Sequence, residues 1–425
     1  MKPTFIDLFA GCGGLSEGFI QAGFEPLAHV EMDKAACFSL RTRMAFHWLA
    51  RHKKANLYAD YLKGAITREE LYSKTPKHII NSVINAEISD KTIESIFAQI
   101  DTILGNKQLD LIVGGPPCQA YSLIGRGATK KNGGMRDDKR NWLFKYYIEF
   151  LTKYKPKHFV FENVLGLLSA KDRNGEKYFD TILKEFSKNG YSAIPEIVLA
   201  DQYGVPQSRK RVIIVGTRKD LTPIKLHLSP KKLSARIADL FADLPAIQAG
   251  DKTKNTVKAK KGCKELYDLK LKDDFPITLH KSRPHNERDL EIYRIAVKKW
   301  NNGHLRLNYN DLPTKLQTRR NKTAFTDRFK VVAGDLLASH TVVAHISKDG
   351  HYYIHPDIKQ NRSITPREAA RLQTFPDNYC FESADGKECL SSAFKQIGNA
   401  VPVYLAKQIA ESIGQDMKSS QSKKC

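Results

Sequence analysis

The sequence predicts an α/β protein with a doubly wound, Rossmann-like mixed sheet and a smaller, irregular second domain. The first observation is at the N-terminus, where an apolar strand at 4–9 runs into a glycine turn at 11–14 and then a helix. The second is a buried-type apolar strand at 109–113 that ends abruptly in GGPPCQAYS at 114–122. The third is the loss of regular periodicity after residue 220. Ligands of open α/β sheets bind at the carboxyl ends of the strands.

The first two strands predict a seat for a nucleotide-like cofactor. Strand, glycine turn and helix in this order hold such groups at the helix N-terminus, although a glycine-rich turn alone is also found in simple tight connections. The second strand, at 25–30, ends in Glu31, Met32 and Asp33. An acid at that point can hold ribose hydroxyls, or it can instead stabilise the N-terminus of the next helix.

Residues 40–108 are polar and predicted to be helix-rich. Thr67 and Glu70 have the spacing of a capping box. Glu87 and Ile88 follow a short apolar stretch, so this acid is predicted to lie beside the first two strand ends, where it could reach an adenine amino group. An exposed surface acid is the alternative interpretation.

Cys118 follows two glycines and two prolines at the end of the 109–113 strand. Proline restricts the backbone and donates no N–H, so this turn is stiff and suits a nucleophile. A small buried cysteine is the alternative. The basic, glycine-rich segment 122–141 is predicted to be a mobile loop that closes over a phosphate backbone, or else a disordered surface loop.

Two further strands are predicted to bring charged side chains to the same edge. A helix at 142–153 precedes a strand at 158–162 that ends in Glu162. Arg209 and Arg211 alternate before the core strand at 212–216, so both can face one side. Capping of the next turn by Glu162 and surface salt bridges by the arginines are the alternatives.

Composition indicates a nucleic-acid partner in a reducing compartment. The 425 residues have a net charge of +23, which favours a polyanion over a charge that serves only solubility. The seven cysteines include no CxxC pair, which argues against a zinc site or a disulfide framework. No apolar run approaches a membrane span or a signal peptide. We therefore expect a cytoplasmic, nucleoid-associated protein without a metal, monomeric by default.

The chain after residue 220 is predicted to be a separate DNA-facing domain, since 221–335 carries about half of the net charge. We place the catalytic domain at 1–220, the recognition domain at 221–384 and a returning C-terminal segment at 385–425, disordered from about 415. Within these, 339–357 predicts a β-hairpin turned at Asp349-Gly350, and Thr365 and Pro366 predict a helix start.

Together these blocks resemble the DNA (cytosine-5)-methyltransferase family, in the form found in bacterial restriction–modification systems. The resemblance covers nearly the whole chain in order. It rests on DLFAGCGG, EMD, GGPPCQAYS, FENV, QSRKRVIIVG, RSITPREAARLQTFPD and QIGNAV. The variable region between the last arginine block and RSITPRE is where that family keeps its target-recognition domain.

The resemblance implies a covalent mechanism on a cytosine that is flipped out of duplex DNA. Cys118 is the implied nucleophile at ring carbon 6, reacting as its thiolate. Glu162 would protonate or hydrogen-bond ring nitrogen 3 and is expected to be at least partly protonated. Arg211 would hold the carbonyl oxygen, and Arg209 would support the nucleophile turn or the DNA backbone. The base that removes the carbon-5 proton is not evident.

The resemblance also implies S-adenosylmethionine as the methyl donor, with S-adenosylhomocysteine as product. Glu31 would hold the ribose, and Met32 would pack on the adenine. Glu87 stands where the family usually has an Asp that contacts the adenine, so the resemblance leaves the role of Glu87 open. The implied cofactor contacts are Phe9, Gly11, Gly13, Leu15, Glu31, Met32, Glu87, Ile88, Pro117, Leu143, Asn399 and Val401.

Two rival functions keep the fold. Related transfer-RNA cytosine methyltransferases share most blocks but carry a CFT segment, whereas the nearest string here, at 379–382, is YCFE. A non-catalytic DNA-binding module is the second rival, and the intact Cys118, Glu162 and Arg211 argue against it. The sequence leaves open the recognition site and whether a cognate endonuclease acts separately.

Overall fold

The computed structural model describes residues 2–117, 142–172, 174–318 and 326–422. Cys118 and the basic segment 122–141, including its predicted role as a lid, lie outside the described residues.

A seven-stranded mixed sheet forms the centre of the molecule, with strand order β3-β2-β1-β4-β5-β7-β6. Strands β1 to β5 run parallel, while β7 pairs antiparallel with both β5 and β6. The strands are β1 Thr4–Leu8, β2 Glu25–Glu31, β3 Val83–Asn85, β4 Leu111–Gly114, β5 His158–Asn163, β6 Tyr191–Leu199 and β7 Lys210–Arg218. This confirms the predicted doubly wound, mixed α/β sheet.

Helices flank the sheet and continue into the C-terminal half. They are α1 Gly14–Gln21, α2 Lys34–Arg51, α3 Ala55–Lys63, α4 Arg68–Ser73, α5 Lys77–Asn81, α6 Ile93–Leu104, α7 Leu143–Tyr154, α8 Tyr178–Lys188, α9 Ile237–Phe241, α10 Lys264–Asp268, α11 Glu287–Gly303, α12 Pro366–Leu372, α13 Leu390–Asn399 and α14 Val403–Ser422. The predicted capping box at Thr67 is present, and Thr365 caps the helix that starts at Pro366 as predicted, in a second capping box with Glu368. None of these helices is long and apolar enough to cross a membrane.

The sheet is buried on both faces because successive residues of its strands enter different cores. In β1, Ile6 and Leu8 join one apolar cluster, and Phe5 joins another. In β4, Ile112 lies in the first cluster, whereas Val113 lies in the second. Continuous apolar runs are typical of parallel strands covered by helices on both sides, which explains why these strands were visible in the sequence.

The predicted hairpin at 339–357 is wrong. The segment contains the short 3-10 helix Ala344–Ser347, and its second half bonds elsewhere. The Ile354 N–H donates to Lys330 O at 2.8 Å, and the Val332 N–H donates to Ile354 O at 2.8 Å. The turn at Asp349-Gly350 therefore joins two segments that do not pair with each other.

The prediction of a disordered tail from about residue 415 is also wrong for 415–422, since α14 continues through Ser422. Ile409, Ile413 and Met417 are buried at four-residue spacing, so an apolar stripe extends the helix past the predicted end. The domain boundaries at 220 and 384 stay predictions. A separate small core lies between residues 292 and 354, built on α11.

Candidate active site

The glycine turn after β1 packs against the end of α13. Gly13 has φ +87°, and Phe9 also adopts a positive φ of +56°. A Cβ on Gly14 would lie 2.3 Å from the Val401 carbonyl oxygen, so only glycine permits this approach. Two implied cofactor segments, the glycine turn and 399–401, are therefore in direct contact. Leu15 is buried in α1, and Asn399 is exposed.

Glu31 closes the same turn from the end of β2. It accepts hydrogen bonds from the Gly11 N–H at 2.8 Å and the Asp33 N–H at 2.7 Å. Burial raises the pKa of Glu31 above its ordinary value, although these amides oppose the shift. The side chain of Asp33 caps α2 by accepting from the Ala35 and Ala36 N–H groups, so helix capping does not explain Glu31. Met32, 61 % exposed, lies beside it.

The remaining implied cofactor residues have different surroundings. Ile88 is buried in the core cluster beside β1 and β2, whereas Glu87 is exposed, and its carbonyl accepts from Thr92 Oγ1. Leu143 is half-buried at the start of α7, and Pro117 is exposed at the last described position before Cys118. No group of His, Cys, Asp or Glu within the described ranges is arranged to hold a metal ion.

Glu162 and Arg211 meet at the ends of β5 and β7. Arg211 Nε lies 2.6 Å from Glu162 Oε1, and the two side chains are 12 % and 14 % exposed. Arg211 Nη1 also donates to the Lys210 carbonyl at 2.8 Å. The antiparallel pairing of β5 with β7 brings Glu162 opposite Ile213 and hence close to Arg211. The sequence prediction that these two groups share one sheet edge agrees with this geometry.

The start of the proline-cysteine turn lies against this pair. A Cβ on Gly115 would be 2.6 Å from Glu162 Oε2 and 2.8 Å from the Glu162 carbonyl oxygen. Asn163 Nδ2 donates to the Pro116 carbonyl at 3.3 Å. The backbone of Gly115 and Pro116, which leads into Cys118, is therefore in contact with Glu162 and Asn163 at the carboxyl end of β5.

Arg209 has a different environment from the one predicted. It is 1 % exposed, and it donates from Nη1 to the Val342 carbonyl at 2.7 Å and from Nη2 to the Gly398 carbonyl at 3.4 Å. A guanidinium so buried is not placed to contact a DNA backbone, which corrects that part of the prediction. The physical reason is that a buried guanidinium needs polar partners, and the Val342 and Gly398 carbonyls, distant in sequence, provide them.

Sequence reasoning missed three polar residues that hold this site together. Asn163 bonds the proline turn, while Gln207 and Gln373 are fully buried and bonded to each other at 3.0 Å. Gln207 stands directly before the arginine block, and Gln373 follows α12. Their positions inside conspicuous motifs were the only available signal, because hydrogen bonding across long sequence separations has no local pattern.

Comparisons with known proteins identify the family of this chain. The C-5 cytosine-specific DNA methylase model matches residues 3–57 and 68–415. The internal stretch that it leaves out, 58–67, covers the second part of α3 and the turn that follows. The chain is 40 % identical to the type II methyltransferase M.Bpa9945I of Bacillus paralicheniformis, covering 96 % of this chain and 98 % of that protein. It is 31 % identical to M.XorII of Xanthomonas oryzae, covering 99 % and 86 %.

A solved structure shares the fold. A putative DNA modification methyltransferase encoded within an E. coli prophage superposes with a TM-score of 0.63 at 22 % identity, covering 98 % of this chain and 100 % of that one. A family match of this extent, with the ordered strand ends described above, leads to one conclusion: the chain belongs to the C-5 cytosine-specific DNA methylase family.

Proposed function

We propose that this chain methylates carbon 5 of a flipped cytosine in double-stranded DNA, with Cys118, Glu162 and Arg211 as its catalytic residues. The observation that carries the proposal is the Glu162–Arg211 ion pair, which lies against the backbone of the turn leading to Cys118. A carboxyl group that is protonated when the base is bound, with a guanidinium beside it, matches two neighbouring atoms of cytosine: the acid donates to ring nitrogen 3, and the guanidinium donates to the carbonyl oxygen on carbon 2.

Each residue acts on a different atom of the ring. The Cys118 thiolate forms a bond to carbon 6, and the electrons of the 5,6 double bond become available at carbon 5. Glu162 delivers a proton to nitrogen 3, where negative charge would otherwise develop. Arg211 stabilises the carbonyl oxygen. After methylation, loss of the carbon-5 proton expels Cys118 as a thiolate, and nitrogen 3 returns its proton to Glu162.

The proposed cofactor site lies where the ends of β1 and β2 meet the glycine turn. Gly11, at φ +55°, has open space beside it, since an added Cβ would meet nothing within 4 Å, and Glu31 has oxygens already fixed by backbone amides. We assign S-adenosylmethionine to this site, where it would supply an electrophilic methyl group. Glu31 would hold the ribose hydroxyls and the exposed Met32 would cover the adenine. Contacts by Phe9, Leu15, Ile88, Pro117, Leu143, Asn399 and Val401 complete the proposed pocket, with Glu87 as a further neighbour.

The biological role that we propose is protection of host DNA in the bacterial cytoplasm. Support comes from relatives that bear the name type II methyltransferase and match this chain over nearly their whole length. In this proposal a cognate endonuclease acts separately and the methylase acts as a monomer. The charge of +23 supports a polyanionic substrate.

Covalent trapping tests the proposed function. We expect a covalent adduct on duplex DNA containing 5-fluorocytosine, formed only with S-adenosylmethionine present, because fluorine cannot leave as the proton does. Cys118→Ser should form no adduct, while Cys389→Ser, a matched change at a partly exposed cysteine, should form as much as the unmodified protein. An adduct that survives Cys118→Ser would overturn the assignment of the nucleophile. Methylation of transfer RNA but not of duplex DNA would overturn the substrate.

A further inference from the structure

Two fully buried glutamines connect the arginine strand with the C-terminal half of the chain. Gln207 Nε2 donates to Gln373 Oε1 at 3.0 Å and to the Leu372 carbonyl at 3.2 Å. Gln373 Nε2 in turn donates to the Ile397 carbonyl at 2.7 Å and the Ala400 carbonyl at 3.2 Å. Both side chains have zero exposure. The chain of bonds therefore runs from the residue before the Ser208–Arg211 stretch to the end of α13.

Arg209 makes a second connection parallel to the first. Gln207 Oε1 accepts from the Val342 N–H at 2.8 Å, and Arg209 Nη1 donates to the Val342 carbonyl at 2.7 Å. Val342, which belongs to the predicted recognition domain, is thus hydrogen-bonded through both its backbone N–H and its carbonyl. Arg209 Nη2 reaches on to the Gly398 carbonyl at 3.4 Å.

Both connections end on residues 397–401, which are the last three residues of α13 and the two that follow, and which we call the turn at 397–401. The carbonyls of Ile397, Gly398 and Ala400 each accept a hydrogen bond from Gln373 or Arg209. The backbone is also closely packed here, because a Cβ on Gly398 would lie 2.3 Å from the Val343 carbonyl carbon.

We infer that Gln207, Arg209 and Gln373 form a positioning relay that fixes Arg211, which holds the base, relative to the turn at 397–401, which holds the cofactor. The inference rests on the proposed function, since that function assigns those two partners. Methyl transfer needs the donor and the acceptor carbon in near-attack geometry, and small displacements lower the rate steeply. A half-satisfied buried network leaves unpaired groups, so loss of one member should disturb the others.

A third buried glutamine provides a matched control. Gln396 lies in α13 directly before Ile397, is 5 % exposed, and donates to the Glu382 carbonyl at 2.8 Å. Its Oε1 accepts from Ser39 Oγ at 2.6 Å. This amide resembles the relay glutamines in burial and bonding but is connected to α2 instead of the arginine strand. Gln396→Met therefore reproduces the stability cost without breaking the relay.

The test compares Gln207→Met, Gln373→Met, their double variant and Gln396→Met in the full-length protein. Binding of S-adenosylhomocysteine without DNA is measured by calorimetry, and kcat by transfer of labelled methyl groups to unmethylated genomic DNA. Gln373→Met, which frees the turn directly, should weaken S-adenosylhomocysteine binding and lower kcat by about tenfold each. Gln207→Met should lower kcat by about tenfold but change that binding less than about threefold.

Non-additivity is the signature of a relay. The double variant should lose no more than about threefold beyond the worse single variant, because both changes break one chain of bonds. Single effects that multiply in the double variant would overturn the inference, as would losses in Gln396→Met equal to those in Gln373→Met. If Gln373→Met does not fold, Gln373→Asn keeps an amide but is too short to reach both carbonyls. An unchanged kcat in that folded variant would overturn the relay as well.

The two proposals fail differently. If the unmodified protein transfers no methyl groups to DNA, or does not bind S-adenosylhomocysteine, the proposed function is wrong. If the relay alone is wrong, the unmodified protein keeps both activities and only the variant pattern departs from expectation.

Discussion

Two of the arginine–carboxylate pairs in this molecule, one at the sheet edge and one in α12, have different surroundings. At the sheet edge, Arg211 and Glu162 are partly exposed, and no hydrogen bond from Arg211 Nη2 is made to the described residues. In α12, Arg371 is fully buried. All five of its N–H groups donate hydrogen bonds, and the acceptors are Asp243, Asp377 and the Leu240 carbonyl. The first pair keeps donor capacity for a ligand, and the second has none left.

A carboxyl group that is buried without a cationic partner is a third case. Asp7 in β1 is fully buried and accepts from Ser16 Oγ. Desolvation raises its pKa from 3.8 to about 7. Glu368 is equally buried, yet Arg362 and His355 hold its pKa well below the ordinary value against the effect of burial. The partner, more than burial itself, decides which protonation state a buried carboxyl adopts.

The largest expected effect is on catalysis by Glu162→Gln. This change keeps the size of the side chain but removes the acid and the ion pair with Arg211, so kcat should fall by about a hundredfold to ten-thousandfold. The melting temperature should change little, because glutamine keeps the volume of the side chain and its amide oxygen can still accept from Arg211. Methyl transfer to DNA measures the effect. Glu185→Gln, which alters an exposed pair with Lys188, is the control and should retain full activity.

Arg371→Met should act on stability instead. It leaves Asp243 and Asp377 buried without their guanidinium, and breaking a buried pair in this way costs about 3–5 kcal/mol. Arg218→Met, which breaks a more exposed pair with Asp220, should cost under about 1 kcal/mol of pair energy. Urea unfolding compares the two. Equal losses of unfolding free energy in the two variants would show that burying Arg371 and bonding all of its N–H groups does not make its removal more costly.

Asp7→Asn should change the pH dependence of stability. Because the folded pKa is raised, the folded protein binds more protons than the unfolded chain between pH 3.8 and about 7, and stability falls as pH rises through that window. Asparagine removes this loss and can still accept from Ser16. The advantage of the variant in unfolding free energy should therefore grow by up to ~1.4 kcal/mol per pH unit within the window. A difference that is flat with pH would contradict the raised pKa.

The sheet could be predicted well from the sequence because its buried strands are local runs of apolar residues. It also predicted that Glu162 and Arg211 meet, since both stand at strand ends of one sheet edge. The hairpin at 339–357 failed for the opposite reason. Its turn signal is local, but Ile354 pairs with Lys330 and Val332, which no periodicity indicates.

Arg209 shows the same limit at the site. Alternation along a strand predicted that it shares a side with Arg211, but its carbonyl partners lie 133 and 189 residues away in sequence. Nothing near Arg209 distinguishes an arginine that holds a ligand from one that holds the backbone. Gln207 and Gln373 were missed on the same ground, being 166 residues apart.

The smallest effect that we predict separates position from charge at the sheet edge. Gly115→Ala leaves Glu162 and Arg211 unchanged but adds a methyl group 2.6 Å from Glu162 Oε2 and 2.8 Å from its carbonyl oxygen. One of these atoms or the turn before Cys118 must move, and a misplacement of this size should lower kcat by about tenfold. Gly303→Ala at the end of α11, where the added carbon meets Leu305 at an ordinary 3.6 Å, is the matched control. If Gly115→Ala keeps the kcat of the control, contact between the turn and the ion pair does not set the reaction geometry, and the open donors of Arg211 would have to position the base without it.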